Sequence, residues 1–161
     1  MSNLRRGARG TEQVVLDETS KKIIEILQED GRRSYAAIGK DVGLSEAAVR
    51  QRVARLLEQG VMQIVAVTDP LTLGFKRQAM VGLTVDGDIQ AVADKLGAFD
   101  EVDYVVVTAG SFDIIVELVC ADDAELLDLL NQCIRSIPEV RTTETFIYLK
   151  LAKQAYAWGT R

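Results

Sequence analysis

The apolar positions of the chain change period once along its length. Between Asp17 and Gly60 they recur at three- and four-residue spacing; from Lys76 onward strand-like apolar runs alternate with two helical stripes. Asp17 offers an N-cap, Ile23, Ile24 and Leu27 form one stripe, and Gly31 predicts the stop. Ser34 caps a second short helix with Ile38 and Val42 on one side and Gly43 at its end. Ser45 caps a third, whose inner face should be Val49, Val53, Leu56 and Leu57, closed by Gly60. Three helices so close together, the last two joined by VGLS, form a helix-turn-helix pattern. Gly43 supplies the positive φ the turn asks for, and Leu44 plugs the core.

After this head, VMQIVAVTDP reads as extended chain, with Pro70 and Gly74 marking a connection out of it. KRQAMVGLTV predicts a strand ended by Gly87. DIQAVADKLGAF predicts a helix with Ile89, Val92, Ala93 and Leu96 inward. VDYVVVTA and FDIIVELVCA predict two strands joined by a tight connection at Gly110 and Ser111. DDAELLDLLNQCIRSI predicts a helix capped by Asp122, with Leu126, Leu127, Leu130 and Ile134 inward, and VRTTETFIYLKL a last strand. The order βαββαβ is the ferredoxin-like split βαβ. Two helices cover only one face of such a sheet, yet YVVVTA and IIVELV are apolar at nearly consecutive positions. The second face therefore asks for another copy of the same sheet, a homodimer about a two-fold axis.

Charge separates the same two regions. The formal net charge is −5 over 161 residues, but residues 1–60 carry eleven Lys/Arg against nine Asp/Glu, and the remainder eight against fifteen. A basic head on an acidic body suggests that only the head approaches a polyanion. No run of about 18 apolar residues predicts a membrane span. The first residues carry Arg5, Arg6 and Arg9 without the apolar stretch of a signal peptide, so the expected location is the cytoplasm. There is no histidine, and Cys120 and Cys133 are far from any CxxC spacing. Metal and cofactor sites are accordingly not expected, and both thiols read as reduced core residues. Catalysis has little to stand on: no glycine-rich phosphate loop, no base beside either cysteine, and an Asp122–Asp123 pair that reads as a helix cap.

The run LDETSKKIIEILQEDGRRSYAAIGKDVGLSEAAVRQRVARLLEQGVM, followed by AGSFDIIVEL and IPEVRTTETFIYL, resembles the Lrp/AsnC family of transcriptional regulators over roughly residues 16–150. The resemblance implies an α+β chain: an N-terminal winged helix-turn-helix domain and a C-terminal ferredoxin-like βαββαβ (RAM) domain. The expected parts are a flexible basic arm (1–15), the helix-turn-helix domain (16–61), a hairpin linker (62–75), the effector-binding and oligomerisation domain (76–152) and a C-terminal tail (153–161). It further implies a sequence-specific, double-stranded-DNA-binding regulator tuned by an amino acid or related metabolite. Homodimers, assembling in many members to octamers, would bind pseudo-palindromic operators. An architectural DNA-wrapping protein without an effector is the alternative.

On the third helix the inner stripe leaves Glu46, Ala47, Arg50 and Gln51 outward in the N-terminal half, where recognition helices read bases. Arg50 suits guanine and Gln51 adenine, while Arg52 and Arg55 on the flanks suit phosphates. Ser34 and Ser45 begin helices whose backbone N–H groups suit phosphate oxygens. The competing interpretation is a solvated arginine face. Glu46 favours cytosine amino groups and repels phosphate, which leaves the bases read undetermined. The Arg5, Arg6 and Arg9 arm is either a DNA-following segment or a solubilising tail. For the effector, the resemblance places Gly110, Ser111, Phe112 and Asp113 in the pocket loop, with Thr108 beside it and Thr143 and Thr145 closing the pocket from a neighbouring subunit. An aspartate there would pair with an α-ammonium. The competing interpretation is a plain hairpin turn in which Asp113 caps backbone.

Overall fold

The computed structural model describes residues 15–160; the Arg5, Arg6 and Arg9 arm lies outside the described residues. The chain divides into two compact units, one running to Ala66 and taking in the chain end from Gln154, the other Val67–Lys153.

The first unit is built on α1 (Glu18–Glu29), α2 (Tyr35–Val42) and α3 (Glu46–Glu58). Each expected cap is made: Asp17 accepts from Ser20 N–H, Ser34 from Ala37 N–H and Ser45 from Ala48 N–H. Ile23, Leu27, Ile38, Val49 and Val53 form its core. Gly43 stands at φ 71° and ends α2. Leu57, expected inward, is exposed, because it stands about 100° around the helix from Leu56, which takes the buried position. The chain end belongs here too: Gly159 N–H donates to Gln28 Oε1 at 3.0 Å and Thr160 Oγ1 to Glu25 Oε1 at 2.7 Å. That hydrogen bond is the main reason the Glu25 carboxyl is held below its ordinary range. The segment read as a tail is thus seated on α1.

Residues 62–69 belong to no helix or strand, and Ile64, Val65 and Val67 are exposed. The linker has its turn over 70–74, where Phe75 N–H donates to Pro70 O at 3.1 Å, but the flanks of that turn are not paired as a hairpin.

The second unit follows the expected order: β1 (Arg77–Val85), α4 (Ile89–Leu96), β2 (Val102–Val107), β3 (Ile114–Cys120), α5 (Asp123–Asp128) and β4 (Val140–Ile147). The strands form one sheet in the order β2-β3-β1-β4, with every neighbour antiparallel. Val81, Leu83, Val92, Leu96, Ile114, Val116, Leu118 and Ile134 fill the space between the helices and one sheet face. The last helix departs from its prediction. After α5 the chain continues as a π-helical segment, Leu129–Ile134, and Leu127 is exposed while Leu129 is buried. Leu127 stands about 100° around the helix from Leu126, off the side that Leu126, Leu129 and Leu130 share. On the other sheet face Tyr104 (57% exposed), Val106 and Phe146 (44%) are open, which is the face the strand pattern wanted covered.

Candidate functional site

The exposed side of α3 carries Glu46, Ala47, Arg50, Gln51 and Ala54, since Val49, Val53 and Leu56 take the buried side. What presents this side is the turn before it. Gly39 O accepts from both Gly43 N–H and Leu44 N–H, the latter at 2.9 Å. A Cβ on Gly39 would lie 2.5 Å from Leu44 O, so the turn closes only over a glycine. Ser34 and Ser45 use their hydroxyls on their own helices, at 3.3 and 3.2 Å, which leaves phosphate binding there to backbone N–H groups.

The arginines have different surroundings. Arg50 donates from Nη2 to Glu46 Oε1 at 2.7 Å, and its Cζ lies 5.2 Å from the centre of the Tyr35 ring. Arg52 turns inward: Nη1 donates to Asp17 Oδ2 at 2.6 Å and to Ser20 Oγ at 3.1 Å, joining α3 to the cap of α1. The Asp17 carboxyl is held down at about 2, chiefly by the hydrogen bond from Arg52 and then by those from Ser20. Arg33 is paired with Asp41 at 2.9 Å. Arg55 is exposed and makes no ion pair among the described residues. The sequence assigned Arg52 to phosphate by its flank position; its partner is 35 residues away, and no local pattern announces it. Tyr35 was absent from that reading for the same reason, its ring meeting Arg50 only through the angle between α2 and α3.

In the second unit the GSFD loop is stitched to β1. Asp113 N–H donates to Leu83 O at 2.8 Å, Val85 N–H donates to Asp113 Oδ2 at 2.8 Å, and Thr108 N–H donates to Asp113 O at 2.9 Å. Thr108 Oγ1 also donates to Phe112 O. The Asp113 carboxylate thus caps backbone, though on β1 and not on its own turn. Phe112 lies across Gly82 on the open sheet face, where a Cβ on Gly82 would come within 2.5 Å of the ring. Its ring meets Phe146 edge-on at 6.2 Å. Thr143 and Thr145 pair with Leu83 and Val81, which puts them on the helix-covered face, opposite Phe112. Arg135 Nε donates to Thr143 Oγ1 at 2.9 Å. One chain therefore brings Thr108 and residues 110–113 together but leaves Thr143 and Thr145 on the other side of the sheet.

A cavity of about 320 Å³ lies elsewhere in this unit, lined by Thr68, Leu73, Phe75, Asp103, Val119 and Glu125 among others, and includes none of the loop residues. Cys120 is buried, and burial with the nearby Glu125 charge pushes its thiol up to about 11, which leaves it protonated and unreactive. No group of three or more metal-binding side chains occurs among the described residues, and no helix there is long and apolar enough to cross a membrane.

Comparison with known proteins finds two kinds of domain in the same order. A family model of the AsnC-type helix-turn-helix domain matches residues 16–57, and one of a C-terminal dimeric alpha+beta barrel domain of AsnC-type regulators matches residues 75–161. The chain is 38% identical to the HTH-type transcriptional regulator FL11 of Pyrococcus horikoshii, over 88% of this chain and 95% of that protein. It superposes on the leucine response regulatory protein LrpA of Mycobacterium tuberculosis with a TM-score of 0.78, at 30% identity, over 86% of this chain and 96% of that one. A transcriptional regulator of Neisseria meningitidis solved as an L-methionine complex shares the fold, with a TM-score of 0.75 at 22% identity over 89% and 96% of the two chains. With both halves matched in order and nearly end to end, the chain belongs to the AsnC/Lrp family of DNA-binding helix-turn-helix transcriptional regulators.

Proposed function

We propose that this regulator is a cytoplasmic homodimer, assembling further to an octamer, whose operator binding is tuned by an amino acid. The observation that carries the DNA half is the side of α3 held outward by the Gly39–Leu44 turn, with Arg50 and Gln51 near its N-terminal end. Arg50 and Gln51 read base edges, with Ala47 packed close to them. Arg55 and the N–H groups after Ser34 and Ser45 meet phosphate, and Arg52, occupied by Asp17, lends charge at the flank. Two heads related by a two-fold axis read pseudo-palindromic half-sites about one helical turn apart.

The effector half rests on the loop from Gly110 to Asp113 with Thr108. Thr143 and Thr145 lie on the opposite face of the same sheet, so they complete a pocket only when supplied by another subunit. The fold neighbour from Neisseria, in complex with L-methionine, supports an amino acid as the ligand class. A second reading, an architectural DNA binder without effector, is favoured by one observation: Asp113 is already engaged by Val85 N–H.

One experiment separates them. Amino acids are screened by thermal shift on the full-length protein and on Asp113→Ala, and binding to the protein's own upstream DNA is followed with each hit. A hit that shifts wild type by several degrees, changes DNA affinity and is lost in Asp113→Ala supports the effector site. An unchanged response in Asp113→Ala moves the pocket elsewhere, and no response to any amino acid favours the architectural reading.

A further inference from the structure

Glu46 is the odd residue of the exposed α3 side: a carboxylate at the first position of a helix presented to a polyanion. Its contact explains it. Glu46 Oε1 accepts from Arg50 Nη2 at 2.7 Å, one helical turn away. The Arg50 guanidinium also lies against the Tyr35 ring, 5.2 Å from its centre. Tyr35 is the first residue of α2, behind the Ser34 cap, and it packs half-buried against the core of the first unit. The ring is therefore a fixed wall and the guanidinium the part that conforms to it.

Neither contact hides Arg50, whose side chain remains 64% exposed. The planar fork offers five N–H donors. Glu46 takes one terminal nitrogen and Tyr35 one face, so an edge of the fork remains to meet guanine O6 and N7. An arginine on a free stem also meets the phosphates of any sequence, and one held on two sides meets them less well. The Glu46 carboxylate adds repulsion toward phosphate. Specificity is a difference of two affinities, and these contacts act on both of them.

We propose that Tyr35 and Glu46 are specificity-determining positioning residues: together they hold the Arg50 guanidinium ready for a guanine edge and turn it away from phosphate. This rests on the reading of Arg50 as a base reader. Tyr35 favours the matched site by pre-ordering the fork, and Glu46 disfavours unmatched DNA.

The test uses the full-length protein and a randomised duplex library. Wild type, Arg50→Ala, Tyr35→Leu, Tyr35→Phe, Glu46→Gln and the Tyr35→Leu/Arg50→Ala double variant each select duplexes. Affinities for the wild-type-selected duplex and a scrambled one are then measured across salt, with melting as a control. Arg50→Ala should erase preference at one G·C position. Tyr35→Leu should weaken that preference about threefold, the worth of one exposed cation–π contact. Melting and the salt slope should stay, Tyr35→Phe should retain the preference, and the double variant should match Arg50→Ala alone. Glu46→Gln should bind the scrambled duplex about threefold more tightly, as the loss of one repelling charge implies.

If Arg50→Ala keeps every preference, the base-reading assignment itself fails and positioning with it. If Arg50→Ala erases a preference that Tyr35→Leu and Glu46→Gln leave intact, base reading stands and positioning is overturned. Equal losses for Tyr35→Leu on both duplexes, or the same loss again in the Arg50→Ala background, assign Tyr35 to folding only and also overturn it.

Discussion

The two units differ in the kind of secondary-structure face each leaves exposed. The helical unit has a small core, Ile23, Leu27, Ile38, Val49 and Val53, and the exposed side of α3 carries charged and polar side chains beside Ala47, Ala54 and Leu57. The sheet unit has a larger core on one face, and on the other it leaves Tyr104, Val106 and Phe146 open. Exposed apolar side chains on a sheet face suit association, while a helix side carrying arginines suits nucleic acid. The first unit offers a charged helix side, and the second leaves apolar side chains open on one face of its sheet. The family's model describes its C-terminal domain as dimeric, which fits the open face of the sheet unit.

The largest effect that would break this comparison is on the open face. Phe146→Glu sets a carboxylate on the open apolar face, and covering that charge with a second sheet costs several kcal/mol. Sedimentation should show the assembly falling toward monomer while circular dichroism stays folded. An unchanged assembly would mean that this face is not the interface.

Next come two glycines with equally close neighbours. At Gly39 an added Cβ meets the backbone oxygen of Leu44, whereas at Gly82 it meets the Phe112 ring, and both approaches are 2.5 Å. Backbone has nowhere to go, so Gly39→Ala should destabilise the helical unit by about 3 kcal/mol; a ring can swing, so Gly82→Ala should cost about 1 kcal/mol. Hydrogen exchange should show α1–α3 losing protection in the first variant, with the sheet amides unaffected. In the second, the Phe112–Phe146 contact should be lost, reported by ring chemical shifts. Protection lost in both units on Gly39→Ala would mean that they do not fold independently.

The smallest effect concerns Asp17. Its carboxyl titrates at about 2 against an ordinary 3.8 because Arg52 and Ser20 bond the charged form. A depressed folded-state pKa contributes stability that is present above pH 3.8 and lost as pH falls through about 2. Because the pair is exposed, the contribution is modest and is screened by salt. In Arg52→Ala the Asp17 titration followed by NMR should rise toward 3.8, and an unmoved titration would show that Arg52 does not hold this cap in solution.

Most elements were legible because their signals are local. Caps at Asp17, Ser34, Ser45 and Asp122 satisfy helix N–H groups within three residues, and Gly43 takes the positive φ its position requires. The order of elements was legible as well, βαββαβ appearing as read, while their order in the sheet comes from the structure. Leu57 and Leu127 were misread as buried because stripes drift near helix ends and the π-helical segment changes the local winding.

By itself, then, the sequence determined the elements, the turn between α2 and α3, the charge division and the family, all of which depend on neighbours a few residues apart. Only the tertiary structure decided which arginine is spent. Arg50 and Arg52 are two residues apart and alike in sequence, yet one lies exposed against Tyr35 and Glu46 while the other is drawn to Asp17. It also placed Phe112 and Thr143 on opposite faces of one sheet and returned the chain end to α1. These outcomes follow from the packing angles of helices and the register of strands, which bring together residues that no spacing in the sequence connects.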